Sequence, residues 1–181
     1  DMSNNEMKIH QERVEPWKVT LIDTGENTMT GGRIKRIKDY LDDDDDFCLT
    51  YGDGVANINI SELIKYHKNH GKTVTLSSVF PQARFGSIDI ENGLIKKFTE
   101  KPKGDGALIN GGFFVVNKKA IDYIDGDATI WEQDPLNNLA TKGELMGYRH
   151  EAFWHPMDTL RDKNYLEDLW GANKAPWKLW N

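Results

Sequence analysis

Apolar positions in this chain recur at two periods, and the switches between them order its elements. Within Gly32–Leu41 the apolar residues Ile34, Ile37, Tyr40 and Leu41 follow helical spacing, with Arg33, Lys35, Arg36 and Lys38 largely opposite. The acidic run Asp42–Asp46 then reads as a solvated helix-to-strand loop or a weak cation site. Phe47–Tyr51 is a short buried-strand run that stops at Gly52-Asp53-Gly54. Asn59, with Glu62 three residues on, resembles a capping box opening a helix through Leu63, Ile64 and His67 that ends at Gly71. Thr73–Phe80 is rich in β-formers and predicts another buried strand. Strand, helix and strand in this order argue for a parallel sheet with a right-handed crossover.

After Pro81 the texture changes. Ser87–Ile90 and Leu94–Glu100 alternate around Glu91-Asn92-Gly93, which predicts a hairpin with Gly supplying the positive φ. A polar loop, Lys101–Gly106, leads to Asn110-Gly111-Gly112 and the apolar strand Phe113–Asn117. Helical patterns follow at Lys118–Ile124 and Asp134–Thr141, then a strand over Glu144–Glu151 and a last helix over Thr159–Trp170. Four of the six Trp lie in Trp154–Trp180, so the C-terminal tail is expected to pack on the body or on a neighbouring subunit.

Composition narrows the class. The chain has 181 residues, about one domain, and 23 basic against 29 acidic side chains give a net charge of −6. That acidity disfavours a nucleic-acid partner, since phosphate-backbone affinity comes from Lys/Arg clusters. A mean hydropathy of −0.65 and the lack of a long apolar run exclude a membrane partner, and Asp1–His10 does not read as a secretory signal. The lone Cys48 forbids a disulfide framework and fits a reducing cytoplasm. It lies in an apolar run, where a buried thiol is expected.

Open α/β sheets bind ligands beyond the carboxyl ends of their strands, which is where Asp53 sits between two glycines. The alternative for an isolated Asp-Gly is a simple turn. Asp158 follows a Trp-x-Pro-Met segment and has an alternative as the cap of the helix beginning at Thr159. Two aspartates converging from separate strand ends would make a hard-oxygen site suited to Mg²⁺ carrying phosphates. Lys101 and Lys103 bracket Pro102, whose ring stiffens the chain so that the Lys101 ammonium is held as phosphate binding requires, or they are loop lysines. Asn110-Gly111-Gly112 could bring bare backbone against a sugar or form a strand-entry bend. Gly31-Gly32-Arg33, opening a helix, could offer amides and a guanidinium to an anion. His67 and His70 lie on a polar helix face without carboxylate or Cys partners, which argues against zinc. No serine elbow, Walker loop or His-Glu-x-x-His occurs.

The landmarks Tyr51–Gly54, Arg84–Gly86, Phe98–Pro102, Asn110–Phe114 and Trp154–Thr159, in this order, resemble the sugar-1-phosphate nucleotidyltransferases, also called sugar-nucleotide pyrophosphorylases. Glu15-Pro16-Trp17, Asp23-Thr24-Gly25, Met29–Arg33, Trp131-Glu132-Gln133 and Ala175-Pro176-Trp177 look like the members that use CTP and glucose 1-phosphate. The resemblance implies a Rossmann-like α/β fold: a mostly parallel mixed sheet with helices on both faces, of the nucleotide-diphospho-sugar transferase type. It implies transfer of a cytidylyl group from CTP to α-D-glucose 1-phosphate, giving CDP-glucose, a precursor of bacterial surface polysaccharide, and pyrophosphate. Attack on the α-phosphorus is in line, so catalysis is positioning and charge neutralisation. By the same resemblance Asp53 and Asp158 ligate Mg²⁺, Lys101 neutralises the sugar phosphate, and Glu100, Asn110 and Gly111 lie near the sugar hydroxyls. Thr28, Arg33 and Gly52 match positions on the nucleotide side, and a homo-oligomer, a hexamer in the family, is implied.

One departure is large. The family opens with a strand, a Gly-rich loop and a lysine that cradle the triphosphate, and neither occurs here. Two βα units, on the order of 60 residues, have no counterpart. Residues 1–181 are therefore expected to be a single nucleotidyltransferase domain, incomplete at its N-terminus, lacking its first strands and nearly inactive alone. A different base or sugar phosphate, or a non-catalytic sugar-nucleotide-binding subunit, are the alternative readings.

Overall fold

The computed structural model describes residues 18–41, 46–81, 87–99 and 107–180. In chain order they form α1 (Thr30–Arg36), a 3₁₀ turn (Lys38–Tyr40), β1 (Asp46–Thr50), β2 (Gly54–Ala56), α2 (Ile60–His70), β3 (Val74–Val79), β4 (Ser87–Glu91) and β5 (Leu94–Thr99). There follow β6 (Ile109–Asn117), a 3₁₀ helix (Lys118–Tyr123), α3 (Asp134–Thr141), β7 (Leu145–His150), β8 (Trp154–Pro156) and α4 (Leu160–Gly171).

The main sheet is mixed, in the order β1-β6-β3-β7. β6 is antiparallel to both β1 and β3, and β3 is parallel to β7. Three of the four strands therefore point one way. β1, α2 and β3 follow each other as expected, with the two strands co-directional, but β6 is inserted between them. The reason lies in β6 itself. It is nine residues long and apolar enough for Phe114, Val115 and Val116 to be buried, so it pairs along both edges. It also starts at Ile109, four residues before the expected start, which puts Asn110-Gly111-Gly112 inside the strand opposite an irregular stretch of β3.

Alternate residues of β6 serve opposite faces of the sheet. Phe114 and Val116 pack with Trp131, Leu136 and Leu139 beneath α3, whereas Val115 packs with Ile58 and Leu63 beneath α2. Helices thus cover both faces. The 118–123 segment is a 3₁₀ helix, and the helical pattern over 32–41 divides into α1 and the 3₁₀ turn.

Local signals place the ends of the helices. The Asn59 side chain accepts from the Glu62 amide at 3.1 Å, and Gly71 closes α2 at φ 64°. Thr159 caps α4, accepting from the Asp162 amide, while the Asp162 carboxylate accepts from the Thr159 amide. The cap is therefore Thr159 and not Asp158. Asn92 (φ 50°) and Gly93 (φ 81°) together turn the β4–β5 hairpin.

Two expectations need correction. Cys48 is exposed, because β1 has only β6 as a sheet neighbour among the described residues and Cys48 alternates with the partly buried Phe47 and Leu49. His67 is not on a polar face: it is buried, and its Nε2 lies 3.4 Å from Asp46 Oδ1. A directional chain links α2 to β3 there. The Lys72 amide donates to His70 Nδ1 at 2.9 Å, leaving His70 Nε2 to donate to Thr75 Oγ1 at 2.7 Å. The Thr75 hydroxyl then donates to His67 Nδ1 at 2.8 Å. The Trp-rich tail packs in part on the body, as one of its two expected placements has it. Trp177 stacks on Phe153 at 5.4 Å, while Trp170 and Trp180 lie 6.4 Å apart and remain exposed.

Candidate active site

β1 ends at Thr50, and the chain turns through Tyr51-Gly52-Asp53 out of the main sheet into β2. β2 pairs with β8, Gly54 standing opposite Pro156, Val55 opposite His155 and Ala56 opposite Trp154. The ladder continues one step further, because the Met157 amide donates to the Asp53 carbonyl at 2.8 Å. Asp158 is the next residue. The strand end that carries Asp53 and the segment that enters α4 are thereby joined through their backbones. Both aspartates are exposed. Two carboxylates suit Mg²⁺, which is commonly held by one or two carboxylates with the remaining positions taken by substrate phosphates and water.

A shallow depression, largely open to solvent, lies here, lined by Thr30, Tyr51, Gly52, Asp53 and Glu132. Gly52 has no positive φ, and nothing lies within 4 Å of where a Cβ would stand. Neither packing nor backbone conformation requires glycine there, so its bareness leaves room for a ligand.

One side of the depression is a hydrogen-bonded chain. The Gly112 amide donates to Asn110 Oδ1 at 2.9 Å, and Asn110 Nδ2 donates to the Tyr51 hydroxyl at 3.1 Å. Tyr51 donates to Glu132 Oε1 at 2.5 Å, and the Thr30 hydroxyl donates to Glu132 Oε2 at 2.8 Å. The Trp131 amide fixes Thr30 Oγ1 at 2.9 Å. Burial, followed by its bond to the Glu132 carboxylate, holds the Tyr51 hydroxyl well above the usual phenol range. Tyr51 therefore keeps its proton and acts as a donor.

The sequence-derived candidates fall into three groups. Gly52 and Asp53 line the depression, and Asp158 follows Met157, whose amide bonds the Asp53 carbonyl. Thr28, Arg33, Asn110 and Gly111 are placed but engaged with the protein. Thr28 is buried, its methyl 2.7 Å from where a Cβ on Gly32 would stand. Arg33 donates to Thr24 Oγ1 at 2.7 Å and to the Glu26 carbonyl at 3.1 Å. The Gly31 and Gly32 amides both donate to the Thr129 carbonyl, so they do not present an anion site. Asn110 orients Tyr51, and the Gly111 carbonyl accepts from Trp154 Nε1 at 2.8 Å. Glu100, Lys101 and Lys103 lie outside the described residues, as do Asp42–Asp45 of the acidic run and the Arg84–Gly86 landmark. Among the described residues no group of three His, Cys, Asp or Glu could hold a metal ion. Likewise no helix among them is long and apolar enough to cross a membrane.

Residue reasoning assigned no role to Thr30, Tyr51 or Glu132. Tyr51 and Glu132 are 81 positions apart, and only the insertion of β6 brings their surroundings together.

Comparison with known proteins gives this geometry a context. The family pattern described as nucleotidyl transferase matches residues 3–155. Glucose-1-phosphate cytidylyltransferase of Salmonella typhi is 60% identical over 179 residues, which cover 99% of this chain and 70% of that protein. The crystal structure of HddC from Yersinia pseudotuberculosis superposes with a TM-score of 0.58 at 23% identity, covering 77% of this chain and 61% of that one. HddC complexed with GMP-PN superposes with a TM-score of 0.55. At those identities the two structures speak to the fold alone.

Proposed function

This chain belongs to the nucleotidyl transferase family, and from that premise we propose that it transfers a cytidylyl group from CTP to α-D-glucose 1-phosphate, giving CDP-glucose and pyrophosphate. The observation that carries the reading is the 60% identity, over 99% of the chain, to a protein of that name. A strand-end depression lined by Gly52 and Asp53, with Asp158 on the segment bonded to the Asp53 backbone, supports it.

In this reading a phosphate oxygen of the sugar phosphate attacks the α-phosphorus of CTP as the bond to the β-phosphate oxygen breaks and pyrophosphate leaves. Neither step needs a covalent bond to the protein, so the side chains bind, align and balance charge. Asp53 and Asp158 would hold Mg²⁺, which when bound supplies positive charge to the triphosphate. Gly52 leaves space beside Asp53 for the nucleotide, with Thr28 and Arg33 shaping that side of the site from within the fold. Asn110 acts through Tyr51, and Gly111 through Trp154. Lys101 would neutralise the sugar phosphate and Glu100 would meet the sugar hydroxyls. The free Cys48 fits a reducing cytoplasm, and a homo-oligomer, a hexamer in the family, is the assembly to test by light scattering.

The experiment is direct. The protein is incubated with CTP, Mg²⁺ and glucose 1-phosphate while CDP-glucose and pyrophosphate are assayed, and a nucleotide panel follows. Preference for UTP or dTTP removes the cytidylyl assignment. CDP-glucose binding by calorimetry without turnover, even after the family's N-terminal strands and Gly-rich loop are joined to the chain, points instead to a non-catalytic sugar-nucleotide-binding subunit.

A further inference from the structure

The connection from α2 to β3, Gly71-Lys72-Thr73, is pinned from two sides. On one side the Lys72 amide donates to His70 Nδ1 at 2.9 Å. On the other the Glu144 carboxylate, at the entry to β7, accepts from the Thr73 amide and hydroxyl and lies 3.3 Å from Lys72 Nζ. The first pin has a direction. A backbone N–H only donates, so His70 Nδ1 is the bare nitrogen and Nε2 carries the ring proton. Nε2 donates to Thr75 Oγ1, the Thr75 hydroxyl donates to His67 Nδ1, and His67 Nε2–H is left facing Asp46 Oδ1. Asn117 Nδ2 donates to the same Asp46 oxygen at 2.9 Å. One backbone amide thus sets the tautomer of both rings, and the chain it directs joins α2, β3, β1 and β6. Thr75 and His67 are buried, so neither can turn to water and reverse it.

A second proton on His70 has only Nδ1 to go to, where it points at the Lys72 N–H. Two donors then face each other and the bond is lost. The groups around the ring are His67 and Tyr66 on α2, with ring centroids 5.2 and 5.1 Å away, Lys72 in the connection, Glu144 before β7 and the neutral Thr75 on β3. Burial first, then His67 and Lys72, hold the His70 imidazole below its ordinary 6.5, with Glu144 pulling the other way. The second pin answers to a lower range, since the Glu144 carboxyl has an ordinary value of 4.5 and its donors depress it further.

We propose that the α2–β3 connection is a latch that acid releases in a fixed order, the bond between His70 and the Lys72 amide first and the Glu144 clamp second. A ring held below its ordinary value lends its full stability above that value and loses it as pH falls through the folded one. The first release frees the last turn of α2 while Glu144 still holds Thr73 at the start of β3. The device is independent of the nucleotidyl-transfer reading.

Imidazole nitrogen NMR and amide exchange on the wild-type chain test it, followed downward from about pH 8, the top of the span in which an imidazole titrates. At the alkaline end His67 and His70 should both be Nε2–H tautomers. As His70 takes up its proton, the protection factor of the Lys72 amide should fall several-fold, while that of Thr73 should hold until Glu144 titrates. Urea midpoints over the same series give a second arm. His70→Asn keeps an acceptor for the Lys72 amide but does not titrate. The wild-type unfolding constant should therefore rise against that of the variant as pH drops below the ordinary 6.5, by at most about tenfold per pH unit, the limit for one proton. An Nδ1–H tautomer of His70 at neutral pH overturns the proposal. So does Lys72 protection that is unchanged once His70 is charged, or loss of Thr73 protection before that of Lys72. Parallel pH profiles of wild type and His70→Asn overturn it as well. Should His70→Asn not fold, the NMR arm, which needs only the wild-type chain, decides.

Discussion

The Met157 amide donates to the Asp53 carbonyl at 2.8 Å, one step beyond the last paired residues of β2 and β8. The bond lies between backbone atoms, so it depends on the register of a three-residue ladder and not on either side chain. It sets the residue after Met157, Asp158, beside the strand end that carries Asp53. Thr159 caps α4 immediately afterwards, so the helix begins without using the Asp158 side chain as its cap. The segments that carry the two carboxylates are thus tied by a ladder that tolerates little slippage, because a one-residue shift turns a strand's side chains to the opposite face.

With the family's N-terminal strands and Gly-rich loop joined to residues 1–181, Asp53→Asn and Asp158→Asn should each lower CDP-glucose formation by about 10²–10³-fold, the scale of losing one electrostatic contact to the reacting groups. Removal of Mg²⁺ with a chelator should abolish turnover of the wild-type protein, and added Mg²⁺ should restore it. Circular dichroism should show both variants folded, since both side chains are exposed. Undiminished turnover in either variant would remove that aspartate from the site.

Gly112 has φ 79°, and a Cβ there would meet Tyr51 Cδ2 at 2.9 Å. Gly112→Ala should therefore cost at least about 2 kcal/mol in urea unfolding and should also shift Tyr51 away from Glu132. Gly143 supplies the control. Its φ is 69° with nothing near the Cβ position, so Gly143→Ala should cost only the backbone penalty of about 1 kcal/mol.

Thr75 is fully buried and its hydroxyl joins His70 to His67. Thr75→Val keeps the shape and removes that link, leaving buried ring nitrogens without their partner. A loss of about 1–3 kcal/mol is expected in thermal or urea unfolding. A loss within a few tenths would show that the chain does not tie α2 to β3.

Glu144 fastens the approach to β7. Its carboxylate accepts from the Thr73 amide at 3.0 Å and the Thr73 hydroxyl at 2.8 Å, and lies 3.3 Å from Lys72 Nζ. The Thr73 hydroxyl and amide, followed by the Lys72 ammonium, hold its carboxyl below the ordinary value of 4.5. A depressed carboxyl stabilises the fold fully above its unfolded value, and that contribution disappears as pH falls through the lower folded value. The stability gap between wild type and Glu144→Gln should thus be open at neutral pH and close in acid, as read from urea midpoints over a pH series. A gap that stays constant through the acid range would refute the linkage.

Much of the local structure was legible in the sequence. Asn59 with Glu62, Gly71 after His70 and the Asn92-Gly93 turn act within a few residues, so reading them in order was enough to place α2 and the β4–β5 hairpin. The periodicity of 134–141 likewise marked α3. Asp53 and Asp158 could be singled out because strand ends and helix entries are where open sheets bind ligands.

Other features depended on distant partners. Nothing near β1 or β3 says that β6 will run between them, yet that insertion separates the βαβ pair and sets Asn110 beside Tyr51. The polar look of His67 and His70 in sequence concealed a buried chain to Thr75, because burial is decided by what α2 lies against. Glu132 carried no local sign of a role; the two hydroxyls that hold it come from Tyr51 and Thr30, 81 and 102 positions away. The sequence by itself determined which segments become helix or strand and which carboxylates stand at their ends, since those are short-range matters of period and capping. Only the tertiary structure decided which side chains share the depression, since that follows from strand order and ladder register, whose hydrogen bonds join backbone groups that every residue type carries.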